Sequence, residues 1–252
     1  LARAGMTKHD FAGQGLGVAH AEASHTVNWS AAAAESLGIS PRILLRADQG
    51  GASAAALLIR AAAMINAGVV DRVQAWSRAH RSPSAPLIWI HAPSVGEGLM
   101  ARPIIDRIRD QRPDAQIAYT FFSPSAESFA RSLGADVADY LPFDTAAAAQ
   151  AMLDALTPTV IVFSKLDVWP VLVAEAAARR VRLVLTSATF SESSGRRSML
   201  ARLLLRDAYA ALDAVGGVHA DDAARLVALG VRPERITVTG DVRYDQAWDR
   251  VH

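Results

Sequence analysis

Residues 86–98 read PLIWIHAPSVGEG: an apolar run from Leu87 to His91, then small residues, then one acid, Glu97, between Gly96 and Gly98. The stretch that follows, LMARPIIDRIRDQRP from Leu99 to Pro113, has helical spacing. This strand-to-helix unit recurs. Apolar runs at 87–91, 116–122, 137–141, 160–164, 182–186, 214–219 and 236–239 are predicted strands. Segments at 100–110, 125–133, 146–156, 169–180, 199–212 and 221–229 are predicted amphipathic helices. Strands alternating with helices of this length predict an α/β fold with a parallel sheet covered on both faces. Burial on both faces also explains continuous runs such as VIVF at 160–163, where a half-exposed strand would alternate.

A doubly wound sheet takes its ligands outside the carboxyl ends of its strands. Glu97 follows the first of these strands, SKLD at 164–167 the fourth, and TSATFSESS at 186–194 the fifth. The chemistry-bearing residues therefore gather on one edge. Glu97 has two readings here, an acid favoured by the positive end of a helix dipole or a base at the mouth of a site. Ser94 is expected to cap the helix or bond the loop backbone in support of Glu97. His91 is expected to be a satisfied strand-end residue, or to reach Glu97.

The bulk properties exclude several classes of function. The chain has 252 residues, a net charge of +1 and no cysteine, so disulfides, thiolate metal sites and cysteine nucleophiles are ruled out. Near-neutral charge gives no ground for expecting nucleic acid as a partner. Lys8 and Lys165 are the only lysines; the other basic side chains are arginines, whose planar forks suit phosphate and carboxylate. No uninterrupted apolar stretch of about 18 residues is present, and the first ten residues lack a signal-peptide core. No metal or cofactor is expected.

Residues 1–75 have a different texture. The first 30 lack any sustained period and read as loop; RILLRAD at 42–48 is a candidate strand, and 30–39 and 50–68 are candidate helices. Serines and prolines near 81–86 suggest a linker over 76–86. GQGLG at 13–17 is not a dinucleotide fingerprint, and NWS at 28–30 fits a glycosylation sequon without other signs of secretion.

WIHAPSVGE (89–97), YLPFD (140–144), SKLDVWP (164–170), SATFSESSGRR (187–197) and RITVTGDVRYD (235–245), in this order, resemble the N-terminal half of the 3-deoxy-D-manno-octulosonic acid (Kdo) transferases over about residues 84–247. The resemblance implies a Rossmann-like doubly wound domain, one half of a GT-B glycosyltransferase, over 87–247, with a small α-rich appendage before it. It implies an acceptor-binding domain for a lipid A precursor in lipopolysaccharide core assembly, with CMP-Kdo held by a C-terminal donor domain that the chain is expected to lack. On that expectation the chain alone is inactive. The implied place of work is the cytoplasmic face of the bacterial inner membrane, with peripheral membrane contact.

Under the resemblance Glu97 is the general base. Taking a proton from an attacking sugar hydroxyl needs a carboxylate within hydrogen-bond reach, shielded so that its pKa rises. Gly96 and Gly98 would let substrate approach the backbone without a Cβ. SKLDVWP departs from the family's usual E-T-E-L-W-P: Asp167 stands at the second acidic position, one methylene shorter, and Lys165 reverses a charge. Asp167 is read either as that acidic residue or as a helix-cap acid. Arg196 and Arg197, with Ser191, Ser193 and Ser194, are the expected phosphate-binding set; Arg202 and Arg206 read as the solvated side of a core helix. The MLARLLL helix at 199–205 offers an apolar face for acyl chains or a membrane surface.

Two other functions stay open at this level. One is a non-catalytic module binding an anionic glycolipid. The other is a thiolase-like acyl-CoA protein, since MTKHDF, AESLGISPR and DQGGASAAALLIRAAAMINAGVVDRV within residues 1–75 are similar to thiolase-like acyltransferases. Thiolases carry a cysteine at the helix start, where this chain has Gly50-Gly51-Ala52-Ser53.

Overall fold

The computed structural model describes residues 15–19, 43–47, 53–190 and 199–242. The chain divides into two compact units, Leu1–Asn66 and Ala67–His252. In the first, strands β1 (Gly15–Ala19) and β2 (Ile43–Ala47) pair in parallel, Gly15 opposite Ile43 and Ala19 opposite Ala47. β2 was legible in the sequence. β1 corrects the reading of the first 30 residues as loop. GLGVA has little strand preference of its own, and its ladder partner lies far along the chain. Gly50-Gly51-Ala52, where the chain departs from thiolases, lies outside the described residues, as does the candidate helix at 30–39.

Helix α1 (Ser53–His80) ends in the second unit. It runs through residues 76–80, which the prolines downstream had suggested as linker. Val69 and Val73 are 2% exposed, and Val70 and Trp76 pack on the core. Ser77 donates to the Ala155 carbonyl at 2.6 Å. The turn after α1 is anchored too, because the Arg81 guanidinium binds the carbonyls of Leu156 and Ala85 and the Gln116 amide oxygen.

The sheet of the second unit comprises β3 (Leu87–His91), β4 (Gln116–Phe121), β5 (Val137–Tyr140), β6 (Val160–Ser164), β7 (Arg182–Ala188), β8 (Ala214–Gly217) and β9 (Ile236–Val238). All seven are parallel, in the spatial order β5-β4-β3-β6-β7-β8-β9. The chain winds outward from β3 to β5, then returns to lay β6 against the other side of β3. The topological switch point therefore lies between β3 and β6.

The helices between the strands are α2 (Val95–Gln111), α3 (Glu127–Ala130), α4 (Ala146–Leu156), α5 (Pro170–Ala178), α6 (Met199–Ala210) and α7 (Ala220–Leu229). They cover two faces. Alternate side chains of one strand part company: Leu87 and Trp89 join Met152, Leu153, Leu172 and Tyr209 on one face. Ile90 joins Ala101, Ile105, Ala126 and Ala130 on the other. That is the period-two consequence of a strand buried on both sides. Each fully buried large side chain contributes about 1.5–3 kcal/mol relative to exposure.

One cap ties two of the motifs together. α5 begins at Pro170, and its N-cap residue, Trp169, offers no capping side chain. Asp144, the last residue of YLPFD, supplies the acceptors instead, taking the N–H of Val171 at 2.9 Å and of Leu172 at 2.8 Å. Pro170 needs no partner at its own nitrogen. The acid thus fixes where the helix after β6 starts, and with it the loop 165–169.

Candidate active site

Glu97 lies in the first turn of α2, two residues inside the helix start. The carboxyl end of β3 faces that of β6 across the switch point. Lys165, first residue after β6, sends Nζ across to Glu97 Oε1 at 3.0 Å. The other carboxylate oxygen, Oε2, accepts from the Ser94 hydroxyl. Ser164 Oγ donates to the Glu97 carbonyl at 3.4 Å, a second and weaker tie between the two loops. The Glu97 side chain is 16% exposed and Lys165 37%, so the pair sits at the mouth of the edge rather than in the core.

Ser94 occupies the N-cap position with extended φ and ψ, but its side chain accepts nothing from the helix. The expectation of a capping serine is corrected in that respect. Its hydroxyl instead donates to the Glu97 carboxylate, a charge-assisted bond.

Burial pushes the Glu97 carboxyl upward, but the hydrogen bonds from Ser94 and Lys165 and the Lys165 charge outweigh it, holding the group below its ordinary value of 4.5. The expectation that shielding would raise it is overturned, because it left out the Ser94 hydroxyl and the lysine across the switch point. Glu97 is an ionised carboxylate at neutral pH, competent to accept a proton but not a strengthened base.

Lys165 reaches this position from a left-handed backbone conformation, φ 60°. That costs a non-glycine residue about 1–3 kcal/mol. Its N–H bonds the Thr186 carbonyl of β7 at 2.8 Å, which holds the turn in place. Ser187, on β7, is also left-handed, φ 54°, within the register shift between Leu185 and Ala188. Two of the four left-handed non-glycine residues among the described residues thus lie at the carboxyl ends of β6 and β7; the others, Thr157 and Arg180, end helices.

The two glycines of GEG separate by role. A Cβ on Gly98 would fall 2.6 Å from Phe129 Cε1 and 2.7 Å from the Tyr119 hydroxyl, so Gly98 exists for the packing of α2 and not for substrate access. On Gly96 the nearest atom would be Ser94 Oγ at 3.7 Å, leaving that position open. Tyr119 is pushed well above the ordinary phenol range, by burial first and by the Glu97 charge second. It stays a neutral donor, to the Ala92 carbonyl at 3.3 Å.

A second cluster stands beside the first. His91 is fully buried, with Nε2 3.1 Å from Asp167 Oδ2 and Nδ1 3.1 Å from both Thr120 Oγ1 and the Thr120 carbonyl. Trp89 Nε1 donates to Thr120 Oγ1 at 2.9 Å, and Trp169 Nε1 donates to Asp167 Oδ2 at 3.0 Å. The contacts form one chain from Trp89 through Thr120 and His91 to Asp167: the Trp89 indole donates to the Thr120 hydroxyl oxygen, His91 Nδ1 faces that hydroxyl and the Thr120 carbonyl, and His91 Nε2 faces the Asp167 carboxylate. Asp167 Oδ2 is therefore held by both a histidine and an indole. His91 bonds Asp167 rather than Glu97.

Asp167 does not cap α5, since Asp144 does. Trp89, Asp144 and Trp169 lay within the quoted motifs without a role of their own being read for them, and Thr120 lay in none; the Trp89–Thr120 bond joins two strands and the Asp144 cap joins two loops, so neither partner is visible along the chain. Ser191, Ser193, Ser194, Arg196 and Arg197 lie outside the described residues; their segment follows β7, whose carboxyl end is on the same edge. Among the described residues no group of three or more histidine, aspartate or glutamate side chains is placed to hold a metal.

The architecture is one Rossmann-like half of a GT-B glycosyltransferase fold. The UDP-GlcNAc 2-epimerase of Neisseria meningitidis is similar to it with a TM-score of 0.50 and 9% identity, over 66% of this chain and 49% of that one, a likeness of fold alone. The family described as 3-deoxy-D-manno-octulosonic-acid transferase (kdotransferase) matches residues 68–246, and the chain belongs to it as an N-terminal Kdo transferase domain. The match begins near the start of the second compact unit, ahead of the motifs from which the resemblance was read. The 3-deoxy-D-manno-octulosonic acid transferase of Bordetella pertussis is 32% identical over 66% of this chain and 40% of its own length. That of Haemophilus influenzae is 26% identical over 63% and 38%. A probable mitochondrial one from Arabidopsis thaliana is 29% identical over 64% and 37%. The chain thus spans about 40% of the length of the curated relatives it matches.

Proposed function

We propose that this domain binds the acceptor in transfer of Kdo from CMP-Kdo to a lipid A precursor, with Glu97 as the general base, in lipopolysaccharide core assembly. The observation that carries the reading is the ionised Glu97 at the switch point, held on both oxygens by Ser94 and Lys165. In the step, an acceptor hydroxyl oxygen forms a bond to the anomeric carbon of Kdo. The bond from that carbon to the CMP phosphate oxygen breaks, CMP leaving with the electron pair, and the hydroxyl proton passes to Glu97. A carboxylate has about four lone-pair directions, so the acceptor hydroxyl can bond Glu97 without expelling Lys165. Rotation of the Ser94 hydroxyl frees Oε2 for the same purpose.

CMP-Kdo is assigned to a donor-binding half, as reaction between two domains is general to the GT-B architecture. Because the acceptor is a lipid, the working protein is placed at the cytoplasmic face of the inner membrane, by peripheral contact. No described helix is long and apolar enough to cross a membrane.

The test is transfer from CMP-Kdo by a protein carrying this domain and a donor-binding half. Glu97→Gln is expected to lower kcat about 10²–10⁴-fold, the usual contribution of a general base, with acceptor KM little changed. Unchanged turnover would remove Glu97 from the chemistry. Saturable glycolipid binding with no turnover by that two-domain protein would favour the non-catalytic reading.

A further inference from the structure

The carboxyl edge carries a feature that neither Glu97 nor the phosphate-binding set accounts for. Phe122 and Phe143 are each 41% exposed, and Trp169 beside them is half-buried. The three follow the ends of β4, β5 and β6 and meet as one cluster. The Phe122 and Phe143 rings are 5.7 Å apart at 77°, and the Phe122 and Trp169 rings 5.3 Å apart at 55°. Exposed aromatic area of this kind is costly to leave against water.

We propose that Phe122, Phe143 and Trp169, with Asp167 at their rim, form a saccharide subsite that seats one pyranose ring of the acceptor. The rings meet the apolar C–H face of the sugar, and Asp167 accepts hydrogen bonds from its hydroxyls. This deepens the glycosyl-transfer reading above and rests on it.

Several observations select a sugar over other occupants. Asp167 is 30% exposed, and its Oδ2 is pinned by Trp169 Nε1 at 3.0 Å and His91 Nε2 at 3.1 Å. An aromatic bed bordered by an oriented carboxylate matches a pyranose, which has an apolar face and a hydroxyl rim. It does not match an acyl chain, which offers nothing to the carboxylate, or an anionic membrane surface, which a carboxylate repels. The bed is also tied to the base. Phe122 N–H and Ser123 N–H both donate to the Pro93 carbonyl, at 3.1 and 2.8 Å, joining the Phe122 loop to the loop that leads into Glu97. On the other side Asp167 and Lys165 share one loop, and Lys165 bonds Glu97. A sugar seated on the rings would therefore be registered against Glu97 by both of its neighbours.

The experiment is calorimetric binding to the full 252-residue chain of three probes: a deacylated phosphorylated glucosamine disaccharide, its acylated form, and phosphatidylglycerol vesicles. Wild type, Phe122→Ala, Phe143→Ala, Asp167→Asn and the conservative Phe122→Tyr are compared, each checked for a native melting transition. The wild type is expected to bind the deacylated disaccharide, with about tenfold loss in Phe122→Ala and in Asp167→Asn and near-complete rescue in Phe122→Tyr. Undiminished sugar binding in both phenylalanine variants overturns the subsite. So does vesicle binding that falls with the rings while sugar binding does not, which would make the bed a membrane contact, and so does absence of sugar binding by the folded wild type. Failure of the two readings is separable. If Glu97→Gln leaves transfer intact while sugar binding still depends on the rings, the base assignment falls and the subsite stands. If transfer depends on Glu97 but sugar binding ignores the rings, only the subsite falls.

Discussion

His91 Nε2 lies 3.1 Å from Asp167 Oδ2, joining the last residue of β3 to the loop after β6 across the switch point. The histidine is wholly buried and the aspartate partly exposed, so the bond carries order from the core to the surface of the site. Replacing His91 by phenylalanine keeps a flat ring of similar size and removes both ring nitrogens. It is expected to cost about 1–3 kcal/mol, because the buried Thr120 hydroxyl keeps Trp89 but loses the imidazole, and Asp167 Oδ2 loses its contact with His91. Urea unfolding with an unchanged m-value would show the loss as a shift of midpoint alone.

Lys165 helps Ser94 hold Glu97 ionised, and the sign of its removal can be worked out. Burial raises the Glu97 carboxyl, while Ser94 and Lys165 lower it to below 4.5. In Lys165→Met the lysine hydrogen bond and charge are gone, so titration of Glu97 is expected to move upward. A carboxyl depressed in the folded state contributes stability that is present above about 4.3, the value in an unfolded chain, and lost as pH falls through the lower folded value. That contribution should shrink or vanish in the variant. A ¹³C-carboxylate NMR titration of both proteins reads the shift; coincident curves would sink the idea that the lysine governs this acid.

GEG holds one replaceable glycine and one that is not. Gly98→Ala would set a methyl 2.6 Å from Phe129 and 2.7 Å from Tyr119, and is expected to destabilise by about 1–3 kcal/mol through overpacking. Gly96→Ala meets nothing nearer than 3.7 Å and removes a glycine from a helix, worth about 0.5–1 kcal/mol in favour of folding. Opposite signs in thermal melts are the expected outcome. Equal losses would mean that the helix start, not the Tyr119–Phe129 contact, limits both.

Asp144 is expected to act as the remote cap of α5. Asp144→Ala leaves the N–H groups of Val171 and Leu172 without their acceptor, at a cost of about 0.5–2 kcal/mol. In a unit of this size 1 kcal/mol lowers Tm by about 2–4 °C. Asp144→Asn, which keeps one acceptor oxygen, should recover part of the loss.

The order of strands and helices in the second unit, the edge on which Glu97, SKLD and the serine loop gather, and the family itself were all contained in the sequence. Those features depend on local periodicity and on short contiguous motifs. β6 and α4, at 160–164 and 146–156, appear where the apolar runs put them because burial on both faces writes itself into consecutive residues. What the tertiary structure alone decided is who meets whom between loops. Lys165 reaching Glu97, His91 aiming Asp167, Asp144 capping a helix 26 residues on and Phe122 leaning on Trp169 all join residues remote in the chain. The part of the Glu97 pKa lowering that comes from Lys165 belongs with them, whereas the part from Ser94 is local. Coulomb energy depends on distance in space, and a lysine 68 residues away in sequence enters it only after β6 has been laid against β3.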